Sequence, residues 1–252
     1  MNKYRSLKVI LKRIKSNIML FDSRTGLLSL FIVPYMILFK KMLVDIEDAL
    51  NFCFGNTLFS EFIKPMQNKE EISALMHYLK DLRPRIILEI GTAKGGTLFL
   101  WTFVAINDAT IISIDLPGGP FGSGYPILRM PLYKSFARRK QKIILIRGNS
   151  HDPRTLNKVK RILSGRQIDF LFIDGDHTYE GVKKDFEMYS PLVRKGGIIA
   201  FHDIVPGPAE KVGGVPRFWK ELKSIMGTDK IMEFVRDWNQ GAGGIGLIIK
   251  FW

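Results

Sequence analysis

The stretch from Ile168 to Asp203 constrains the fold more than any other part of the chain. Ile168 to Ile173 is a short, nearly continuous apolar run, the pattern of a strand covered on both faces. It stops at Asp174-Gly175-Asp176-His177, four residues with no place in a core. Val182, Phe186, Tyr189 and Val193 then recur at helical spacing, which predicts an amphipathic helix ended by Gly196-Gly197. Ile198 to Phe201 reads as a second buried strand that stops at His202-Asp203. Parallel strands joined by one helix present their ends on the same edge of a sheet. Asp174, His177, His202 and Asp203 are therefore expected to converge at the carboxyl edge, where open α/β sheets bind ligands.

The flanking sequence repeats this plan. Arg85 to Ile90, Ala109 to Asp115 and Lys142 to Ile146 read as buried strands, and Ile231 to Arg236 with Ile245 to Phe251 as an antiparallel pair around a Gly-rich turn. The expected fold is α/β: a Rossmann-like, doubly wound, mostly parallel seven-stranded sheet with an antiparallel C-terminal strand pair. Asn68 with Glu71 three residues on predicts a capping box for a helix bearing Ile72, Leu75, Met76 and Leu79. Helices are also expected over Leu98 to Val104, Met130 to Arg139, Leu156 to Leu163 (capped by Ser150 or Asp152) and Val215 to Ile225. The Gly/Pro-rich run Pro117 to Pro126 is a loop over the same sheet edge, a lid or a connector.

Residues 1–67 form a helical, basic and apolar N-terminal extension to a domain over 68–252. Met1 to Ile18 carries Lys3, Arg5, Lys8, Lys12, Arg13 and Lys15 without an acid, and its apolar residues recur at helical spacing. Gly26 to Phe39 is uncharged, but at about 21 Å as a helix it falls short of a hydrocarbon core of roughly 30 Å, and Pro34 interrupts it. Over residues 1–45 three readings stand: packing on the chain's own domain or a second copy, contact with an anionic membrane surface, or a true span. The lone Cys53 allows no intrachain disulfide and fits a cytoplasmic protein, peripheral at a membrane if the second reading holds.

The strand–GTAKGG–helix unit has the form of a cofactor cradle. Gly91, Gly95 and Gly96 let the backbone turn sharply and approach a ligand, and amides at a helix start point into the same space. The spacing is not that of a dinucleotide fingerprint, since Thr92, Ala93 and Lys94 follow Gly91. Asp115, ending the second strand, suits the two hydroxyls of a ribose. Glu89, just before the glycines, suits either an ammonium group or a bracing role in the loop.

The phrases EIGTAKGG (Glu89 to Gly96), FIDGDHTYEGVKKD, GGIIAFHDI and GVPRFWKEL resemble class I S-adenosylmethionine-dependent O-methyltransferases, in the branch around cephalosporin hydroxylase-type and rhamnosyl O-methyltransferase proteins. The resemblance covers about Asn68 to Trp252. It implies S-adenosylmethionine as cofactor, bound by Glu89, Gly91, Thr92, Gly95, Gly96, Asp115 and Ser150. It also implies a divalent metal, Mg or Mn ahead of others, on Asp174, His202 and Asp203. His202 stands where metal-dependent relatives have a carboxylate, and imidazole suits Mn, Fe, Zn or Ni better than Mg. His177 falls where those enzymes carry a catalytic lysine, which makes His177 and Asp174 the catalytic candidates, with Asp176 not separable from them by spacing. Alternatively, His177 caps the following helix. The implied reaction is methyl transfer to a hydroxyl of a small molecule or sugar.

Other classes fit less well. With 38 basic and 24 acidic residues the chain carries +14, which reads either as general solubility or as a nucleic-acid, membrane or anionic-substrate partner. No Asn-Pro-Pro-aromatic motif or recognition module supports a nucleic acid. A nicotinamide-dependent oxidoreductase conflicts with the glycine spacing, and a non-catalytic cofactor-binding or membrane-surface scaffold leaves the His-Asp edge unused. A homo-oligomer is compatible with the sequence.

Overall fold

The computed structural model describes residues 16–18, 21–22, 25–117, 124–227 and 229–252. The basic helix expected over Met1 to Ile18 and the centre of the loop over Pro117 to Pro126 fall largely outside them. Strands β1 (Ile86–Ile90), β2 (Thr110–Asp115), β3 (Lys142–Arg147), β4 (Ile168–Ile173), β5 (Val193–His202), β6 (Ile231–Phe234) and β7 (Ile245–Ile249) form one sheet in the order β3-β2-β1-β4-β5-β7-β6. β1 to β5 pair in parallel, and β7 joins antiparallel to both β5 and β6, as expected.

The strand alternation divides the core. Ile86, Leu88 and Ile90 face helices α7 (Pro153–Leu163), α8 (Tyr179–Tyr189) and α10 (Val215–Met226). Ile87 faces the opposite layer, built from α4 (Lys69–Leu82) and α5 (Gly96–Val104). That second layer also takes in α1 (Leu27–Phe39), α2 (Ile46–Phe54) and α3 (Leu58–Ile63), because Met36, Leu50, Cys53 and Ile63 are buried in the same cluster. Helices α6 (Met130–Ser135) and α9 (Ala209–Val212) are short.

Several local expectations change. The helix after β4 ends at Tyr189, and Val193 opens β5 instead of extending the helical stripe; Pro191 and a 3₁₀ turn over Ser190–Leu192 intervene. Helix α6 stops at Ser135, well short of Arg139. Asn68 makes no side-chain cap, so the capping box is absent. Glu71 is drawn away by tertiary partners: its buried carboxylate accepts from Arg236 N (3.1 Å), Gly244 N (2.8 Å) and Gln240 Nε2 (2.6 Å). Asp45 and Thr57 cap α2 and α3 by accepting from Asp48 N and Ser60 N. Among the described residues no helix is long and apolar enough to cross a membrane.

Candidate active site

β1 and β4 lie side by side at the centre of the sheet, where the chain's winding reverses and a crevice opens beyond the strand ends. Gly91 follows β1 and Asp174 follows β4. The two backbones touch: a Cβ at Gly91 (φ 96°) would stand 2.0 Å from the Asp174 carbonyl oxygen. Gly95 and Gly96 likewise face the Tyr133 ring and the Ile63 carbonyl with Pro65. The glycines are thus required first by the chain's own close packing.

Asp115 organises the turn after β1. Its Oδ2 accepts from the amides of Thr92 (2.9 Å) and Ala93 (2.8 Å), and its Oδ1 from Leu116 N (2.7 Å). Burial raises its pKa and these backbone donors oppose the rise. Asp115, Gly148, Ser150, His151, Gly175 and Asp176 line a cavity of about 140 Å³.

Glu89 does not reach that cavity. Being in register with Ile87, it points into the layer under α5, fully buried, and accepts from Thr97 Oγ1 (2.5 Å), Trp101 Nε1 (2.8 Å) and Ser113 Oγ (2.8 Å). Burial pushes its carboxyl up to about 7 against the lowering effect of those donors. Of its two expected roles, the geometry supports the brace.

The second cavity, about 600 Å³, adjoins the first at Gly91 and Gly175 and is lined by Asp174, His177, His202 and Asp203. These four side chains come together as expected. His202 Nδ1 is 3.1 Å from Asp174 Oδ1 and 3.3 Å from Asp203 Oδ2; His177 Nε2 is 3.4 Å from Asp174 Oδ1 and its Nδ1 3.5 Å from Asp203 Oδ2. Burial would raise the Asp174 carboxyl, but the His202 and His177 imidazoles hold it below the usual carboxylate range. Burial would lower both histidines; instead Asp174 and Asp203 drive His202 well above its ordinary value, and Asp174, the Lys211 carbonyl and Asp203 bring His177 to about 9. Two acidic and two imidazole side chains thus lie within ion-pair distance of one another.

One ligand atom from each of Asp174, His177 and Asp203 fits within 4.8 Å, a spacing that suits one cation. His177 thus joins the expected acids in the grouping that His202 was expected to complete. His202 is not far removed: its Nε2 is buried and, among the described residues, has no hydrogen-bond partner. Thr178, not His177, caps α8 by accepting from Gly181 N, and Asp176 Oδ1 accepts from Thr178 N at 2.9 Å, which gives Asp176 a turn-forming role.

Three supporting groups were invisible in the local sequence. Gln67 Nε2 donates to Asp174 Oδ2 at 2.7 Å across 107 residues. Gly243 N donates to Asp203 Oδ1 at 2.7 Å, steadying a residue held at φ 60°. Arg129, buried and bonded to Asp22, lines the larger cavity with Lys94. No periodicity or motif links such distant positions.

Comparison with known proteins agrees with this geometry. Residues 88–204 match the family described as "Methyltransferase domain". The uncharacterized protein y4gI of Sinorhizobium fredii is 29% identical over 147 residues, 57% of this chain and 16% of that protein. The uncharacterized protein R132 of Acanthamoeba polyphaga mimivirus is 58% identical over 36 residues, 14% of this chain and 16% of that protein. This chain therefore spans only a small part of these curated relatives.

Among solved structures, an O-methyltransferase from Bacillus cereus in complex with SAH shares the fold at TM-score 0.51 and 16% identity, covering 81% of this chain and 90% of that one. TomG from Streptomyces achromogenes, an O-methyltransferase of tomaymycin synthesis in complex with SAM, does so at 0.51 and 17%, covering 87% and 96%. CalS11, a calicheamicin methyltransferase, does so at 0.50 and 16%, covering 79% and 90%. Residues 88–204 thus match a methyltransferase-domain family over the central strands, and the fold around them is one shared with solved O-methyltransferases.

Proposed function

We propose that the chain is an S-adenosylmethionine-dependent O-methyltransferase acting on a hydroxyl of a small molecule or sugar, with residues 68–252 as the catalytic unit and 1–67 as its extension. The observation that carries the reading is the pair of adjoining cavities at the sheet's reversal point, within the methyltransferase-domain match. The smaller cavity, with Asp115 and Ser150, suits the adenosine end of the donor, and the turn Gly91, Thr92, Gly95 and Gly96 its amino-acid end. When bound, the donor supplies an electrophilic methyl group. The larger cavity suits the acceptor, whose hydroxyl would lie against the Asp174–His177–His202–Asp203 cluster.

A divalent metal, Mg or Mn first, fits this donor set. Two acidic side chains and an imidazole converge, and the buried, unpartnered His202 Nε2 offers a further nitrogen. Asp174 and Asp203 would hold the ion with His202 or His177; when bound, it lowers the pKa of an acceptor hydroxyl. The chain's own part is to orient the acceptor and receive its proton. With His202 as the ligand, His177 is left to serve as the proton acceptor once it is neutral, which requires relief from the carboxylates that now keep it protonated. Residues 1–45 are the part of the chain that would meet an anionic membrane, and such contact would favour an acceptor held near lipid.

Calorimetric titration of S-adenosylmethionine, with Mg²⁺, Mn²⁺ or chelator, tests the reading. Micromolar binding weakened at least about tenfold by Asp115→Ala is expected, a loss on the order of 1.4 kcal/mol or more. Absence of binding under every condition would overturn it. A scaffold with the same fold would bind cofactor but show no loss of turnover on substitution of Asp174 and Asp203.

A further inference from the structure

Helix α1 is apolar on both sides, yet the described structure covers one of them. Ser29, Ile32 and Met36 are buried inward, where α1 packs on α6 and the turn Ile127–Arg129. Outward, Phe31 is 69% exposed, Tyr35 52% and Leu38 60%, and the stripe continues onto Met42 at 66%. These positions are three or four residues apart, so they share one face.

A basic border runs along the end of this stripe. Lys40 Nζ donates to the carbonyls of Ser135 (2.5 Å) and Ala137, and Arg138 Nη2 donates to the Leu43 carbonyl at 3.1 Å. These bonds hold segment 134–142 beside the stripe. That segment contains Lys134, Arg138, Arg139, Lys140 and Lys142 and no acid, and Lys134, Arg139 and Lys140 are exposed, as is Lys41.

The combination selects among occupants. A second copy would bring like charge against this border, since the chain carries +14. An anionic bilayer satisfies both features: its acyl boundary takes the stripe and its headgroups take the cations. A helix of 13 residues, about 20 Å long, is too short to cross a bilayer.

We propose that the outward face of α1, bordered by segment 134–142, docks the protein in the plane of an anionic membrane. The inward side ties this face to the candidate active site. Asp22 accepts from Ser29 N (2.8 Å) and Oγ (2.6 Å) and from Arg129 Nη2 (2.7 Å). Arg129 lines the larger cavity and donates from Nη1 to Tyr133 OH (3.4 Å), which donates to the Ala93 carbonyl in the turn after β1 (2.7 Å). Docking would therefore set the acceptor cavity beside the lipid surface and select an amphiphilic acceptor. That last clause rests on the methyltransferase reading; docking does not.

Co-sedimentation of the full chain with phosphatidylcholine vesicles, with and without about 30% phosphatidylserine, tests the proposal. Binding to the anionic vesicles is expected, reduced at about 0.5 M salt. It should weaken at least about tenfold both in Phe31→Ser/Leu38→Ser and in Lys134→Glu/Arg139→Glu. All four positions are exposed, and an unchanged S-adenosylmethionine titration would show the variants folded. No binding by the intact protein, or binding untouched by both variants, would overturn docking. A stable dimer that Phe31→Ser/Leu38→Ser dissociates, without vesicle binding, would assign the face to a second copy and overturn it too. Loss of cofactor binding with vesicle binding intact would instead count against the methyltransferase reading alone.

Discussion

Glu89 shows how much one buried carboxyl can decide. Its folded pKa of about 7 lies above the ordinary 4.5, so its contribution is fully present below about pH 4.5 and is lost as pH rises through about 7. Over that window the loss is on the order of 3 kcal/mol, at about 1.4 kcal/mol per unit. Glu89→Gln keeps an oxygen for Thr97 and Trp101 and turns an amide toward Ser113, whose hydroxyl also meets Thr92 Oγ1. The variant should gain on the parent by up to about 3 kcal/mol between pH 5 and pH 8, read from denaturant midpoints at both pH values. An unchanged difference would show that Glu89 does not titrate there. Gly91→Ala is the opposite case. The added methyl meets the Asp174 carbonyl at a positive φ, so a loss on the order of 3 kcal/mol or more in thermal unfolding is expected. The sequence marked both positions as special; only the fold shows that Glu89 faces Trp101 and Gly91 faces Asp174, since neither partner is near in the chain.

At the scale of elements, the strands were legible and the connections less so. β1 and β2 are buried along their length and β4 at every position but Asp169, and a nearly continuous apolar run is a signal that survives in any context. Helix ends depend on weaker preferences that a tertiary partner easily overrides. Glu71 is the example: a capping-box acid by spacing, it instead holds the turn between β6 and β7 through two backbone amides and Gln240. Glu71→Ala would leave the buried Gly244 amide and two part-buried donors without their acceptor and should cost on the order of 3 kcal/mol by chemical denaturation. Because Gly243 of the same turn donates to Asp203, this variant should also weaken metal binding while leaving cofactor affinity near the parent's. Equal losses of both would place Glu71's effect in the whole domain.

At the scale of the molecule, the two cavities couple ligand binding to stability. Saturating S-adenosylmethionine at about a hundred times its dissociation constant should add roughly 2.7 kcal/mol, seen as a rise in Tm. Metal should add to this more at pH 8 than at pH 6, because His177 and His202 must surrender protons that Asp174 and Asp203 now hold in place. A metal effect that is independent of pH would remove the histidines from the ligand set. By itself the sequence determined which apolar runs are strands, the glycine turn after β1 and the convergence of Asp174, His177, His202 and Asp203 at one edge. Those follow from periodicity and from the handedness of parallel crossovers, which act locally. Only the tertiary structure decided that Glu89 is a brace, that His177 stands among the acids, that Gln67 and Gly243 steady Asp174 and Asp203, and that α1 packs one apolar face while exposing the other. Those depend on which distant segments fill the remaining space and satisfy the buried polar groups, and pattern along the chain does not encode that.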